Sequence, residues 1–411
     1  MKFLFVHQNF PGQFKHLAPA LVREGHEVTA FAIKNTQPYE WQGVRILPYG
    51  LTRGNTKGIH PWSVDFESKM IRAEACMQIA IKLRDSGYTP DTVIAHPGWG
   101  ESLCLKEVWP NAQLKVYCEF YYHTEGYDVG FDPEFQSPSI TERARVRLRN
   151  ANILTQFQDV DAGISPTHWQ ASTFPKHIRE KITVVHDGID TTLLCPNENA
   201  TLTLASGETL TRADQVITFV NRSLEPYRGF HQFMRALPTI VKSRPHARVL
   251  IVGEESNGYG AKHPSGKTWK QILIDEVRHE FTKEEWSRVH FLGQIPYAQF
   301  VSLLQISTVH VYLTYPFVLS WSLLEAMSVG CAIVASDTQP LHEAIIDNET
   351  GLFVDFFDHT KLSNTVVSLM NEKELRNRLG ANARRNAIAN FDLNTKCLPI
   401  QIEWATNKVL S

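Results

Sequence analysis

The first half of the chain alternates short apolar runs with longer segments in which apolar residues recur at helical spacing. The runs have the length and composition of β-strands, and the segments between them end at glycine or polar residues, as helices do. Strands that alternate with helices predict βαβ units and a parallel sheet. The predicted strands are Lys2–Val6, His26–Ile33, Asp91–Ala95, Gln113–Tyr117 and Ala162–Ile164, and the clearest helices are Gln13–Glu24 and Ser63–Ser86.

The same alternation starts again in the second half. Its predicted strands are Gln215–Val220, Arg248–Val252, Val289–Leu292, Thr308–Leu313 and Ala332–Ser336. Its predicted helices are Phe230–Val241, Ile272–Phe281, Tyr297–Gln305, Ser322–Val329, the charged segment Lys373–Asn390 and a last one over Thr395–Leu410. The repetition predicts a second doubly wound unit.

The chain length requires more than one core. A single core stops growing at about 250–300 residues, and this chain has 411. We predict an α/β protein of two Rossmann-like, doubly wound domains facing across a cleft, at 1–194 and 215–385. The polar stretch 195–214 is the predicted linker, and helices over 386–411 are expected to pack back on the first domain.

Composition and charge narrow the class of protein. Hydrophobic residues make up 43%, charged residues 20%, and the net charge is −2 at pH 7. This is a globular composition that argues against a strongly basic nucleic-acid binder. The six cysteines form no CxxC pair, which favours reduced buried thiols. The first residues read as a strand rather than a signal peptide, and no stretch approaches the roughly 18 apolar residues of a membrane span. We expect a cytoplasmic protein, with peripheral membrane contact left open.

The segment Tyr312–Ser336 carries the strongest chemical signal. A strand leads through a proline-containing loop into a short helix, and Gly330 ends that helix before the next strand. The free amide groups of a helix N-terminus bind anions, and Ser320 is placed to cap it. Glu325 is a carboxylate within an otherwise apolar helix, which suits the two hydroxyls of a ribose. The alternative is a plain buried helix with one solvated glutamate.

This segment, LLEAMSVGCAIVAS with its preceding loop, resembles the corresponding segment of the retaining GT-B glycosyltransferases of family 4. The resemblance implies that Glu325 binds the donor ribose, and that Trp321 and Ser322 join Ser320 at the phosphate-binding helix end. In that family Glu325 corresponds to the second glutamate of a Glu-x7-Glu pair, and the first, which normally binds hydroxyls of the donor sugar, falls at position 317. This chain has Phe317 there, so recognition of the donor sugar is expected to differ.

A second segment, FVNRSLEPYRG at 219–229, resembles the loop that holds the donor pyrophosphate in the same family. Arg222 matches the arginine of that pattern, Arg228 replaces its lysine and Asn221 replaces its glycine. Two guanidinium groups on one strand-to-helix loop can grip a diphosphate, because each forms paired hydrogen bonds to phosphate oxygens. The alternative is a pair of surface arginines.

Weaker matches extend the resemblance over 183–353. They place Gly253 at a strand-to-helix turn, and Leu292 and Gly293 in the loop whose backbone reads the nucleotide base. The segment TVVHDGIDTTLLCP resembles the one near the interdomain linker of the family. The order and spacing of these matches are more specific than any one of them.

The first half matches the family more loosely, as the acceptor-side domain. Gly12 follows the first strand and is predicted to let the backbone approach phosphates or the acceptor. His96, Glu119 and His123 follow two later strands, and the resemblance implies a group there close to the donor sugar. The aromatic residues around Glu119 are suited to stacking on a sugar. The alternative is that they are part of the hydrophobic core.

The predicted activity is retaining transfer of a sugar from a nucleotide-sugar, with a UDP-sugar favoured, to a carbohydrate, lipid-linked or small-molecule acceptor. We expect no metal and no cofactor, since two cations and a helix dipole can carry the diphosphate charge; the DxD triplet at 159–161 reads as chance. The alternatives are a nucleotide-sugar 2-epimerase of the same fold and a catalytically silent nucleotide-sugar-binding protein.

Overall fold

A computed structural model describes residues 1–33, 37–256, 258–260 and 262–407. The chain divides into two compact units. The first unit comprises Met1–Gly130, Ser137–Gly188 and Asn394–Ser411, and the second comprises Phe131–Gln136 and Ile189–Leu393. Each unit is a Rossmann-like α/β domain with its own parallel sheet.

The first unit has an eight-stranded sheet with the order β3-β4-β2-β1-β5-β6-β7-β8. Its neighbouring strands run parallel except β3 and β4. The strands are β1 Lys2–Val6, β2 Glu27–Ala32, β3 Tyr39–Trp41, β4 Val44–Pro48, β5 Thr92–Ala95, β6 Gln113–Tyr117, β7 Ala162–Ser165 and β8 Ile182–Val184. The helices are α1 Leu17–Arg23, α2 Val64–Asp85, α3 Leu105–Val108, α4 Ile140–Leu148, α5 Ala151–Gln156, α6 His168–Ser172 and α7 Lys176–Arg179.

The strands predicted in the first half are all present. Their central members are continuous apolar runs because helices cover both faces of a parallel sheet, and β1 is buried from Phe3 to Val6. The short strands β3, β4 and β8 were not predicted, since runs of three to five residues carry little periodicity.

The second unit has a six-stranded parallel sheet with the order β13-β12-β11-β14-β15-β16, and a separate hairpin of β9 and β10. The strands are β9 Thr201–Thr203, β10 Thr209–Thr211, β11 Val216–Ser223, β12 Arg248–Glu254, β13 Val289–Gly293, β14 Val309–Tyr312, β15 Ile333–Ser336 and β16 Leu352–Val354. The helices are α8 Phe230–Ser243, α9 Trp269–Val277, α10 Lys283–Trp286, α11 Tyr297–Ile306, α12 Trp321–Ser328, α13 His359–Asn371 and α14 Lys373–Phe391. The last helix, α15 Leu398–Thr406, belongs to the first unit.

The stretch expected to be a linker, 195–214, is instead part of the second unit. It forms the β9–β10 hairpin, and its leucines Leu202, Leu204 and Leu210 enter the hydrophobic core of that unit. The hairpin was hidden in the sequence because its outward positions are threonine and serine, which dominate the composition. Of the predicted C-terminal helices, α14 lies in the second unit and α15 in the first, while residues 408–411 lie outside the described part.

A buried lysine fixes α15 within the first unit. Lys115 lies on β6, and its Nζ donates to the carbonyls of Trp404 (2.7 Å), Ala405 (3.0 Å) and Asn407 (2.6 Å). The last carbonyls of a helix have no partner within the helix, so this ammonium group satisfies two of them and the carbonyl of the capping residue Asn407. Burial lowers the pKa of Lys115 to about 8, and Asp161 opposes that shift.

We expect Lys115→Met to lower the free energy of unfolding by about 3 kcal/mol, because it leaves buried carbonyls without a donor. Urea unfolding measures the loss, and amide hydrogen exchange should show α15 opening before the sheet. Lys176→Met is the control, since the Lys176 side chain is 83% exposed. Equal protection of α15 in both variants would contradict the assigned role of Lys115.

Two observations bear on the class of protein. Within the described residues, the helices lack the combination of length and apolar character that spanning a bilayer would need. The six cysteines, all described, are thiols rather than disulfides.

Candidate active site

The strand order of the second sheet reverses between β11 and β14. β12 lies on one side of β11 and β14 on the other, so the loops that follow β11 and β14 diverge and leave a crevice at the carboxyl ends of the strands. The loop after β11 carries Arg228, and the loop after β14 leads to Ser320. The two segments with the strongest resemblance therefore meet at one place in this unit.

Arg228 is buried in this crevice. Its side chain donates to Thr314 Oγ1 at 3.0 Å, and the amide of Thr314 is held by Ser336 Oγ at 3.1 Å. Arg222, near the end of β11, is exposed. Burial raises the pKa of the Glu225 carboxyl, against hydrogen bonds from the Tyr259 and Gly260 amides and against the charges of Arg228 and Arg222. Both guanidinium groups therefore lie within electrostatic reach of one carboxyl group.

Phe317 is buried beside Arg228. Its ring packs against Tyr227 (5.3 Å between centroids) and Tyr259 (4.9 Å). The guanidinium carbon of Arg228 lies 5.4 Å from the Tyr259 ring centroid and 6.0 Å from that of Phe317. Aromatic faces attract a cation without neutralising its charge. With phenylalanine at position 317, no carboxylate at that position competes for Arg228.

The N-terminus of α12 is capped as predicted. Ser320 Oγ accepts the amide of Ser322 at 3.4 Å, and its own amide donates to the Tyr312 hydroxyl at 3.3 Å. Burial raises the pKa of Tyr312, and the charge of Arg228 opposes that rise. The tip of α12, including the half-buried Trp321, and the Arg228 guanidinium thus share Tyr312 as a neighbour.

Glu325 lies one turn into α12 and is buried, with 7% of its surface exposed. Tyr297, the first residue of α11, donates its hydroxyl to Glu325 Oε1 at 2.8 Å. Burial, followed by the Glu325 charge, raises the pKa of that hydroxyl. A carboxylate keeps further lone pairs after one such bond. Tyr297 was not predicted, because nothing in its sequence surroundings links it to a residue 28 positions later.

Three further predicted site residues, Gly253, Leu292 and Gly293, lie on the neighbouring strands β12 and β13 of the same sheet. Gly253 is in β12 at φ +157°, and a Cβ there would come within 2.9 Å of the Asn221 carbonyl oxygen. Leu292 and Gly293 end β13, and Gly293 has φ +65° with open space beside it. The backbone at Gly253 thus packs closely on the loop that leads to Arg228, and the base-reading role of Leu292 and Gly293 stays a prediction.

The first unit has its own switch point, between β2 and β5 on either side of β1. Three polar residues follow adjacent strands there: His7 after β1, His96 after β5 and Glu119 after β6. The carboxyl ends of adjacent parallel strands lie side by side at one end of the sheet, so these residues come together. His7 was missed by the sequence reasoning. The sequence could have indicated it, because His7 directly follows a predicted strand, as His96 does.

A relay of hydrogen bonds joins His7 to Glu119. His7 Nδ1 accepts the amide of Asn9 at 3.0 Å, which assigns the proton of a neutral ring to Nε2. That nitrogen lies 2.9 Å from Gln13 Oε1, and Gln13 Nε2 donates to Glu119 Oε1 at 3.0 Å. The relay therefore delivers an N–H donor to the carboxylate and fixes its orientation.

His96 approaches the other oxygen of Glu119. Its Nδ1 accepts the amide of Gly98 at 3.1 Å, which leaves Nε2 to carry the proton. Nε2 lies 3.5 Å from Glu119 Oε2, and the ring stacks on Trp99 with centroids 4.3 Å apart. The Glu119 side chain remains 36% exposed. Burial would raise its pKa, but hydrogen bonds and charge from His96, with the bond from Gln13, lower the pKa overall. Glu119 is an ionised carboxylate that a ligand can reach.

His123 and Gly12 have other neighbours than those expected. His123 Nε2 donates to the Thr173 carbonyl (2.7 Å), and the ring stacks on Tyr127 with centroids 4.1 Å apart. Gly12 has φ +49°, and a Cβ there would come within 2.4 Å of the His7 ring. Gly12 therefore makes room for His7, and roles of either residue toward a substrate stay predictions.

One cluster in the second unit has metal-ligand residue types: Asp132, Glu134 and His231. Its oxygens are already engaged. Asp132 Oδ2 lies 3.1 Å from His231 Nε2 and accepts the Tyr315 hydroxyl at 2.9 Å, and Glu134 receives two hydrogen bonds from Arg235. These contacts lower the pKa values of Asp132 and Glu134 against the effect of burial. The cluster anchors the segment Phe131–Gln136 in the second unit.

Comparisons with known proteins identify the family. Residues 24–194 match the family model described as Glycosyl transferase family 4 group, and residues 206–386 match that of Glycosyl transferases group 1. The D-inositol 3-phosphate glycosyltransferase of Corynebacterium efficiens is 24% identical over 386 residues, which cover 89% of this chain and 83% of that protein.

Solved structures show the same fold. Sucrose-phosphate synthase from Thermosynechococcus elongatus superposes with a TM-score of 0.72 at 17% identity, covering 98% of each chain. Anabaena HepE in complex with UDP gives a TM-score of 0.68 at 15% identity, covering 99% of this chain and all of that one. From the two adjoining family matches and the fold of both units, the chain belongs to the group 1 glycosyltransferases of the GT-B fold.

Proposed function

We propose that this glycosyltransferase takes a sugar from a nucleoside-diphosphate sugar, with UDP as the nucleotide, and transfers it with retained configuration to a hydroxyl-bearing acceptor. The observation that carries the proposal is the Arg228 guanidinium, buried at the switch point of the second sheet next to the capped tip of α12. The complex of HepE with UDP supports the choice of nucleotide.

The proposed chemistry depends on stabilising the leaving diphosphate. As the bond between the anomeric carbon and the phosphate oxygen breaks, negative charge develops on the nucleotide and positive charge on the sugar. Arg228, Arg222 and the amides at Ser320–Ser322 would neutralise the departing diphosphate as a preorganised electrostatic site. Thr314 and the rings of Tyr259 and Phe317 hold Arg228 in place before the substrate arrives. This donor set makes no use of a metal ion.

The acceptor side is assigned to the first unit. Glu119 is ionised, reachable and oriented by Gln13 and His96. It is suited to accept a hydrogen bond from an acceptor hydroxyl, whose proton passes to an oxygen of the leaving phosphate. The name of the corynebacterial relative supports an acceptor with several hydroxyls.

The direct test is turnover of a panel of UDP-, GDP- and ADP-sugars, without acceptor and with candidate carbohydrate, inositol and lipid-linked acceptors. We expect release of UDP and a product with retained anomeric configuration, read by NMR. An epimerised sugar with UDP release would indicate a 2-epimerase instead. Nucleotide-sugar binding in a thermal-shift assay without turnover of any donor would indicate a silent binding protein.

We expect Glu325→Ala to weaken UDP binding about 10- to 100-fold, since hydrogen bonds to a charged group contribute about 1.5–3 kcal/mol each. Calorimetric titration of UDP into the full chain measures the effect. Glu349→Ala removes an exposed glutamate of the same unit and serves as the control. Equal UDP affinity in both variants would remove Glu325 from the nucleotide site.

A further inference from the structure

A cavity of about 570 Å³ lies in the second unit. It is at the amino ends of the strands, opposite the carboxyl ends where the donor loops begin. Thr308, directly before β14, and Ala332, directly before β15, line it. The loops with Arg228 and Ser320 lie at the carboxyl ends of this sheet. A four-residue strand spans about 13 Å, so the cavity is separate from the proposed donor site.

One face of α14 forms a wall of the cavity. Its lining residues include Lys373, Arg376, Gly380 and Arg384, which are three or four positions apart and so share one side of a helix. Gly380 permits the close approach of α14 to the segment after α12, because a Cβ there would lie 2.2 Å from the Gly330 carbonyl oxygen. The charged residues of α14 on this face, which have no role in the proposed donor and acceptor sites, therefore line the cavity.

The lining carries a concentrated positive charge. Five cationic side chains reach it, and among the described lining residues Glu198 is the one carboxylate, with an oxygen 3.5 Å from Arg212 Nε. The whole chain has a net charge of −2, so this excess is local. The five cations are Arg212, Lys373, Arg376, Arg384 and Arg385.

Two of the guanidinium groups are held rigidly. Arg384 donates to the carbonyls of Thr191, Leu194 and Ser328, and Arg376 to those of Leu369 and Met370. A guanidinium has five N–H donors, so each keeps donors beyond these bonds. Lys373 and Arg385, which also line the cavity, are exposed. The arrangement combines guanidinium groups held by backbone carbonyls with two exposed cationic side chains.

We propose that this cavity binds a soluble, multiply phosphorylated small molecule. Guanidinium groups match phosphate oxygens in paired hydrogen bonds, and several phosphate charges are needed to balance this many cations. Binding cavities for small molecules span about 300–1,000 Å³, a range that includes this one. The site is independent of the sugar donor and its chemistry.

The test is calorimetric titration of inorganic tripolyphosphate into the full chain at fixed ionic strength. We expect wild-type protein to bind it, sulfate to bind more weakly, and the double variant Lys373→Ala/Arg385→Ala to lose at least tenfold in affinity. Both side chains are exposed, so the fold should persist. Arg378→Ala, on the same helix but outside the cavity lining, should bind as wild type does.

Three results would overturn the proposal. The first is equal tripolyphosphate affinity in wild type and the double variant. The second is loss of binding in Arg228→Ala with retention in the double variant, which would place the anion at the donor loops. The third is binding to vesicles containing phosphatidylinositol bisphosphate, dependent on Lys373 and Arg385, without binding of soluble tripolyphosphate. That result would assign the cavity to a lipid headgroup.

Discussion

Replacement of Arg228 by alanine is expected to lower kcat for sugar transfer about 10²- to 10³-fold, the range observed when one preorganised donor to a developing anion is removed. The guanidinium is buried, bonded to Thr314 and flanked by aromatic rings, so little reorganisation is needed when charge appears on the leaving diphosphate. UDP release from the donor, with and without acceptor, measures the loss.

The conservative variant separates charge from geometry. Arg228→Lys keeps a cation but loses the paired hydrogen bonds that a guanidinium can make to phosphate and its contact with the Tyr259 ring, so it should recover only part of the rate. Arg378→Ala is the control for an exposed arginine of the same unit and should keep wild-type turnover. Wild-type kcat in Arg228→Ala, with the fold intact by circular dichroism, would defeat the diphosphate-clamp assignment.

Glu119→Gln should produce the second large effect, a fall in kcat of about 10²-fold or more with UDP affinity unchanged. The amide keeps the shape of the side chain but removes the charge that Gln13 and His96 orient. Because Glu119 lies in the first unit and the proposed nucleotide contacts lie in the second, the loss should fall on kcat and leave the Kd of UDP as it is.

The pH profile gives a second readout of the same residue. The pKa of Glu119 is lowered in the folded protein, so its carboxylate stays ionised down to pH values below the ordinary glutamate range, and any rate that depends on it is lost only below that range. Glu107→Gln, an exposed glutamate of the first unit, is the control. Equal losses of kcat and UDP affinity in Glu119→Gln would point to a folding defect rather than to an acceptor-side role.

Phe317 is the position at which the sequence was expected to differ from the family pattern. The structure places this ring beside Arg228, packed on Tyr227 and Tyr259. The ring is buried, with 4% of its surface exposed, and it provides no hydrogen-bond acceptor for the hydroxyls of a donor sugar at this position. The donor panel should therefore include deoxy sugars beside the common hexoses.

The order of strands and helices could be predicted from the sequence, because burial on both faces makes parallel strands continuous apolar runs that local inspection detects. The same reasoning places chemistry at the carboxyl ends of strands, where Arg228, Ser320, His96 and Glu119 lie. These residues follow their strands by one to eight positions, and the family resemblance added the roles expected of Arg228 and Ser320.

Only the tertiary structure decided which of these residues touch. Glu119 receives its hydrogen bond from Gln13, 106 positions away, and Glu325 receives one from Tyr297. The polar stretch expected to be a linker became a hairpin, since a few leucines in alternation were enough to bury it in a core supplied by distant strands. A local pattern specifies the face and the end of an element, whereas a partner across the sheet is set by how the elements pack. The sequence alone therefore determined the secondary-structure elements and which loops carry the candidate site residues. The packing of those elements determined which of these residues are in contact.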